Sequence, residues 1–336
     1  MFSLNRVLLI KFIPFLVFGI LLSCNREKKE LVFHYSDGTV IHDSTQLRFL
    51  MRELPVQVAE YDSLVSLDVE TRLDRQIEQK IADYSRSHSM KKINGMIVMD
   101  NQTGDVLYCA NSSELNVYSQ RLQLMKMYGI LLSFEKGVKL TDHFSWIGKY
   151  SRKKYDSTVS RLYRIAPPSL EYQYPYDRYS CSQWSAFLQK LDVSENERDC
   201  ADGEIFPRYY FRTSLFDLVK TGSLISQNGH VHAHNLFGEV KTTSGEVLHV
   251  APYLKGKILK TETCTNTKKV LKRDPFDLIE FSYPIFFFSQ GEMHKGMILS
   301  TKKYTIGFIA TSKSGINDFV TKEIYSLASL LEGERH

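Results

Sequence analysis

The chain has 336 residues, with 43 Lys and Arg against 38 Asp and Glu, for a formal net charge of +5. At 43% hydrophobic and 12% aromatic residues it can bury a sizeable core, which excludes a disordered chain. No basic block stands out, which excludes the charge footprint of a nucleic-acid partner.

Arg6 and Lys11 form a positive leading region, and an apolar run follows from Phe12 to Leu22, broken by Pro14 and Gly19. A bilayer span needs about 20 apolar residues, so the run has the length of a signal-peptide core instead. It ends in Leu21-Leu22-Ser23-Cys24, which resembles the lipobox of bacterial lipoproteins. That resemblance implies cleavage of residues 1–23 and acylation of Cys24. The product would be a chain anchored in the bacterial cell envelope, on the extracytoplasmic (periplasmic) side. An ordinary secretory signal, or an uncleaved anchor, is the competing reading. Removing residues 1–23 takes away Arg6 and Lys11 and no acid, which leaves a net charge of about +3.

Residues 24–61 begin with the polar run Asn25 to Glu30 and are expected to form a tether with one hairpin at Asp37-Gly38. A single domain is expected over 62–333. Val69 to Tyr84 reads as a helix with Leu73, Ile77 and Ile81 on one face. Asn94 to Asp100 and Asp105 to Ala110 read as strands joined by the turn Asn101 to Gly104, where glycine tolerates a positive φ. Leu122 to Lys136 is apolar on most faces and closed by Gly137, which predicts a buried helix with Lys126 inside it. Further helices are expected over 182–191 and 213–226, the second ending at Gln227-Asn228-Gly229. Strands are expected over 283–289, 296–300 and 304–311, then a helix over 316–331. Two strands early, three late and helices between predict an α+β fold: one five-stranded antiparallel sheet with helices packed on it and a helical subdomain.

Beyond Cys24, the cysteines are Cys109, Cys181, Cys200 and Cys264, and their spacing matches no zinc pattern. In an oxidising compartment some can pair; buried free thiols are the equal alternative. His230, His232 and His234 alternate, so a strand would set all three on one side. A surface strand with exposed histidines is favoured there over a zinc site. Tyr172 to Tyr179 carries four tyrosines and Pro175 and reads as a packed loop, with a groove lining for glycan or peptide as the alternative.

Four segments in order resemble the transpeptidase domain of penicillin-binding proteins. Asp68 to Leu73 resembles the "D-x-x-L-Q" helix start. Met96 to Leu107 resembles the "V-V-L-D-P-x-T-G-E-I-L" hairpin. Phe134-Glu135-Lys136-Gly137 resembles the end of the central helix. Thr213 to Leu248 resembles the segment after it, with Gln227-Asn228-Gly229 and Ser244-Gly245-Glu246-Val247 at the expected places. The chemistry of that family rests on S-x-x-K, S-x-N and K-T-G motifs. Counting back from Gly137, the nucleophile position falls on Gln123, and the lysine one turn later is Lys126. The second motif falls on Ser182-Gln183-Trp184, with Trp184 in place of the amide. The third falls on Ser289-Gln290-Gly291, without its lysine. A carboxamide cannot form an acyl-enzyme, and losing a serine nucleophile costs a factor of about 10⁶ in turnover. The resemblance therefore implies a catalytically inactive binding or scaffold module in cell-wall (peptidoglycan) assembly. Peptidoglycan stem peptide or cell-wall synthesis proteins are its implied partners, and no cofactor or metal is called for. The alternative is an active D,D-transpeptidase, carboxypeptidase or β-lactam sensor using another serine, Ser119 first. Literal motif strings also occur at Ser133 to Lys136, Ser151 to Lys154, Ser194 to Asn196 and Lys220-Thr221-Gly222. Ser133 falls at the wrong end of its helix and Lys220 inside another, which argues against that set.

Overall fold

The computed structural model describes residues 30–58, 61, 65–87, 93–110, 123–147, 152–164, 174–193, 213–272, 278–289, 292–311 and 318–333. Its centre is a five-stranded antiparallel sheet, ordered β11-β12-β13-β3-β4. β3 (Ile93–Asp100) and β4 (Val106–Ala110) are the early hairpin; β11 (Ile279–Ser289), β12 (Glu292–Thr301) and β13 (Tyr304–Thr311) come last. Tyr304 pairs with Asp100 and Ile306 with Val98, which joins the early hairpin to the late strands. Gly104 takes φ +81° at the β3–β4 turn, as its position demands. The expected sheet is thus present, with two strands early and three late.

Helices cover both faces. α6 (Leu215–Ser226) crosses one face, capped at its start by a reciprocal pair between Ser214 and Asp217. Its close approach depends on two glycines. A Cβ on Gly307 would meet Val219 and Leu215 at 2.4 and 2.9 Å, and one on Gly222 would meet Ile298 and Thr305 at 2.9 Å. On the other face, α2 (Arg75–Ser87) and α8 (Asp318–Glu332) bury Ile77, Ile81, Ile324 and Leu327 against Val98, Leu299 and Phe308. No helix among the described residues is long and apolar enough to cross a membrane.

Three differences from the sequence expectations have clear causes. First, much of the tether expected over 24–61 is folded: β1 (Leu31–His34) and α1 (Ser44–Gln57) bury Phe33, Phe49, Leu50 and Leu54 in the main core. The turn at Asp37-Gly38 is present, with Gly38 at φ +81° and its N–H bonded to Tyr35. Second, the helix expected from Val69 begins only at Arg75. Leu67–Thr71 is a strand, β2, because Leu67, Val69 and Thr71 alternate inward while Asp68 faces solvent. Asp74 then starts α2 by accepting from the N–H groups of Gln76 and Ile77. Third, the sheet is not alone. β1 pairs with β2 in parallel, and β2 with β8 (Phe237–Thr242), in a four-stranded sheet ordered β1-β2-β8-β9 that ends at β9 (Val247–Leu248). Two short pairs complete the fold: β5 (His143–Ile147) with β6 (Lys154–Thr158), and β7 (His230–Val231) with β10 (Gly256–Lys257).

Candidate functional site

The candidate site is organised by α3 (Gln123–Glu135). Met127, Tyr128, Ile130, Leu131, Leu132 and Phe134 are all buried, so this helix runs through the interior, as its apolar composition predicts. Gly137 follows at φ +90° as its cap. Its C-terminal end is fixed by Glu135, which accepts from the Lys190 ammonium and the Thr263 hydroxyl at 2.8 Å each and from the Lys260 N–H at 3.2 Å. Burial alone would push the Glu135 carboxyl up; the bonds from Lys190, Lys260 and Thr263 outweigh it and hold the group below its usual range. These contacts tie α3 to α5 (Cys181–Lys190) and α7 (Thr261–Leu271).

Towards the other end, Gln123 is the first described residue of the helix and Lys126 follows one turn later. The Lys126 side chain is buried at 2% exposure, and its ammonium lies 5.3 Å from the centre of the Tyr174 ring. A cation over a tyrosine face recovers part of its lost hydration. Tyr174 stacks on Tyr163 of α4 (Val159–Arg164) at 6.2 Å, and Tyr163 meets Phe134 edge-on at 5.7 Å. Beyond a short 3₁₀ turn, Pro175–Arg178, the Arg178 guanidinium lies 4.4 Å from the Phe144 ring, which continues into the stack of Trp146 and Tyr155. The tyrosine-rich stretch is therefore packed at Tyr174, the packed-loop reading of that segment; Tyr172 lies outside the described residues.

α5 carries the second motif position. Ser180 caps it through a reciprocal pair with Gln183. Two residues along a helix point to roughly opposite sides, and so they do here. Ser182 is exposed, 2.9 Å from the Ser180 hydroxyl, whereas Trp184 is among the largest buried side chains. Trp184, expected in place of the motif's amide, is packed into the core. The third position lies on β11, the edge strand of the main sheet, which packs on α3. Ser289 is its last residue, paired with Glu292 across the hairpin. Gly291 lies outside the described residues. The elements expected to carry the second and third positions, α5 and β11, therefore both border α3.

Of the literal motif strings, Ser133 and Lys220-Thr221-Gly222 lie inside helices. Ser133 is fully buried near the far end of α3. Lys220 lies inside α6, its ammonium 2.8 Å from Asp192 and 3.2 Å from Asp217, above the rings of Tyr253 and Phe216. Ser151, Ser194 and Asn196 lie outside the described residues. The alternating histidines are split as well. Only His230 lies in a strand; it and His232 are exposed, while His234 is buried. Among the described residues no cluster of three or more His, Cys, Asp or Glu is placed to hold a metal. Cys109 and Cys264 are buried free thiols and Cys181 is disulfide-bonded, so both cysteine readings occur in one chain. The Lys220 ion-pair cluster and the Glu135 hub escaped the sequence reading. The capping pattern Ser214-x-x-Asp217 with Lys220 three residues on was a legible cue for the first, and nothing local pointed to the second.

No family model matches the chain, and no curated protein does. Solved structures do match. The D,D-transpeptidase domain of a peptidoglycan glycosyltransferase from Eggerthella lenta superposes with a TM-score of 0.58 at 11% identity, covering 92% of this chain and 99% of that one. This chain has the penicillin-binding-protein transpeptidase fold. Penicillin-binding protein PonA1 from Mycobacterium tuberculosis matches with a TM-score of 0.57 at 14% identity, over 86% of this chain and 90% of that one. Penicillin-binding protein 3 from the same organism, complexed with aztreonam, matches with a TM-score of 0.60 at 9% identity, over 91% and 96%. Of the four segments behind the transpeptidase resemblance, the hairpin, the end of the central helix and the α6 segment occupy the elements expected. The Asp68 segment falls on β2 rather than on a helix start.

Proposed function

We propose that this chain is a catalytically degenerate transpeptidase-like module. It is held at the extracytoplasmic face of the bacterial envelope by acylated Cys24, and it binds peptidoglycan stem peptide or a cell-wall synthesis protein. One feature carries the reading: in a transpeptidase fold, counting along the central helix puts Gln123, one turn before the buried Lys126, where an acyl-forming serine would be required. A carboxamide at that position leaves binding possible and acyl transfer without a nucleophile. Trp184 and Ser289 at the other two positions agree with it.

Labelling of the full-length protein with a fluorescent penicillin, followed by a denaturing gel and intact mass, is expected to give no covalent adduct at saturating label. An adduct would sink the degenerate reading, and its peptide map would name the serine responsible, with Ser119 the first to examine.

Anchoring is tested separately. Cys24→Ser is expected to abolish acylation, so that the lipid mass on the mature N-terminus disappears and the protein leaves the detergent phase. An unchanged detergent-phase fraction would refute anchoring through Cys24. Two or more acyl chains hold stably because each buried CH₂ contributes about 0.8 kcal/mol.

A further inference from the structure

His234 is fully buried, and neither ring nitrogen has a hydrogen-bond partner within the described structure. It lies at a junction of three segments. Its N–H donates to the Leu254 carbonyl at 2.9 Å, and its carbonyl accepts from the Tyr253 N–H at 3.0 Å. Its ring edge lies against Gly104 of the β3–β4 turn, where an added Cβ would come within 3.0 Å of it. The end of α1 closes the junction through Gln57, whose amide donates to Ala251 at 3.1 Å and to His234 at 3.5 Å and accepts from the Leu236 N–H at 3.1 Å.

We propose that His234 is an acid-sensitive latch: its protonation opens the junction and frees α1 and the 234–254 segment from the body while the five-stranded sheet stays folded. An imidazolium there would gain a charge in a buried site with no acceptor for either N–H among the described residues, a state burial strongly disfavours. The charged groups on the surrounding elements give it no relief. Lys220 on α6 is itself a cation and opposes a second one, and Asp217 and Asp192 are already engaged by Lys220. On α1, Glu53 is engaged by Arg52 and the Tyr253 hydroxyl; at the β3–β4 turn, Asp105 faces Arg72. Burial, with Lys220 behind it, holds the closed-state pKa at about 3, against about 6.5 for an imidazole in water.

The sign follows from that depression. The closed form binds no proton until far below the open form does, so the latch is tight above pH 6.5 and weakens as pH falls towards 3. Between pH 7.5 and pH 4.5 the open population is expected to rise about 100-fold. Amide hydrogen exchange on the full-length protein at these two pH values, corrected for intrinsic rates, reads this directly. Protection over residues 44–58, 234–236 and 251–254 should fall about 100-fold, with β3 and β13 little changed, and His234→Phe should abolish the fall. His234→Gln serves as the second neutral variant should phenylalanine not be accommodated. An equal fall across the five-stranded sheet, or the same local fall in the neutral variants, would overturn the latch.

Discussion

Lys220→Met is expected to destabilise the protein by about 3–5 kcal/mol, the usual consequence of removing one partner from a buried ion cluster. The Lys220 side chain is only 3% exposed, and it answers two carboxylates on different elements. Asp217 is three residues back on α6 and 11% exposed, so the deletion leaves a partly buried carboxylate with its Ser214 cap but without its cation. Asp192 follows α5 in a left-handed backbone conformation, φ +53°, that a non-glycine residue adopts at a cost; the ammonium holds it there through both its carboxylate and its carbonyl. Burial pulls the Lys220 pKa down, but Asp217 and Asp192 outweigh it and hold it above the usual lysine range. The sign of the linkage follows. Stability from this group is complete at neutral pH, below the unfolded-state value of about 10.4, and fades only as pH rises through the folded-state value. Urea denaturation at pH 7 checks the prediction. A loss under 1 kcal/mol for Lys220→Met would show that Asp192 and Asp217 find other partners. Asp192→Asn, at a carboxylate 48% exposed, is expected to cost far less, because water can replace what it loses.

The same lysine shows where sequence reading works and where it stops. Lys220-Thr221-Gly222 is a string match to a strand motif, yet the helical run around it was enough to reject the match, and α6 bears that out. Periodicity placed α3, α6 and α8 and the hairpin of β3 and β4 within a few residues, because each has a one-sided or nearly all-apolar pattern that only one element type can bury. Short strands carry no such signal. β7, β9 and β10 have two residues each, and their pairing is decided by long-range contacts. β2 was absorbed into the helix beside it because Val69 and Leu73 also satisfy a helical spacing; only pairing with β1 and β8 distinguishes the two. β1 and α1 fall inside the expected tether because charge and polarity precede them, and only the folded chain shows Phe33, Phe49, Leu50 and Leu54 buried in the main core. In the candidate site, the positions of Gln123 and Lys126 followed from counting along one helix. What lies above Lys126 did not, since Tyr174 arrives from 48 residues further along the chain.

Trp184→Ala is the second large effect, and it separates a core role from a groove role. Removing a buried tryptophan costs about 3–5 kcal/mol through lost transfer energy and the cavity left behind. Trp184 shares one face of α5 with Cys181, Phe187 and Leu188, all buried, so the loss should register fully as reduced stability. Ser182 differs from it by two residues and by half a helical turn. Exposed and bonded only to the Ser180 hydroxyl among the described residues, Ser182→Ala is expected to shift stability by less than about 0.5 kcal/mol, as an ordinary surface substitution does. If Trp184 instead stood in a groove in place of an amide, its truncation would leave stability nearly unchanged. Parallel urea denaturation of the two variants decides between these. A large loss for Trp184→Ala alone means that the departure from the S-x-N pattern at this position is a packing substitution.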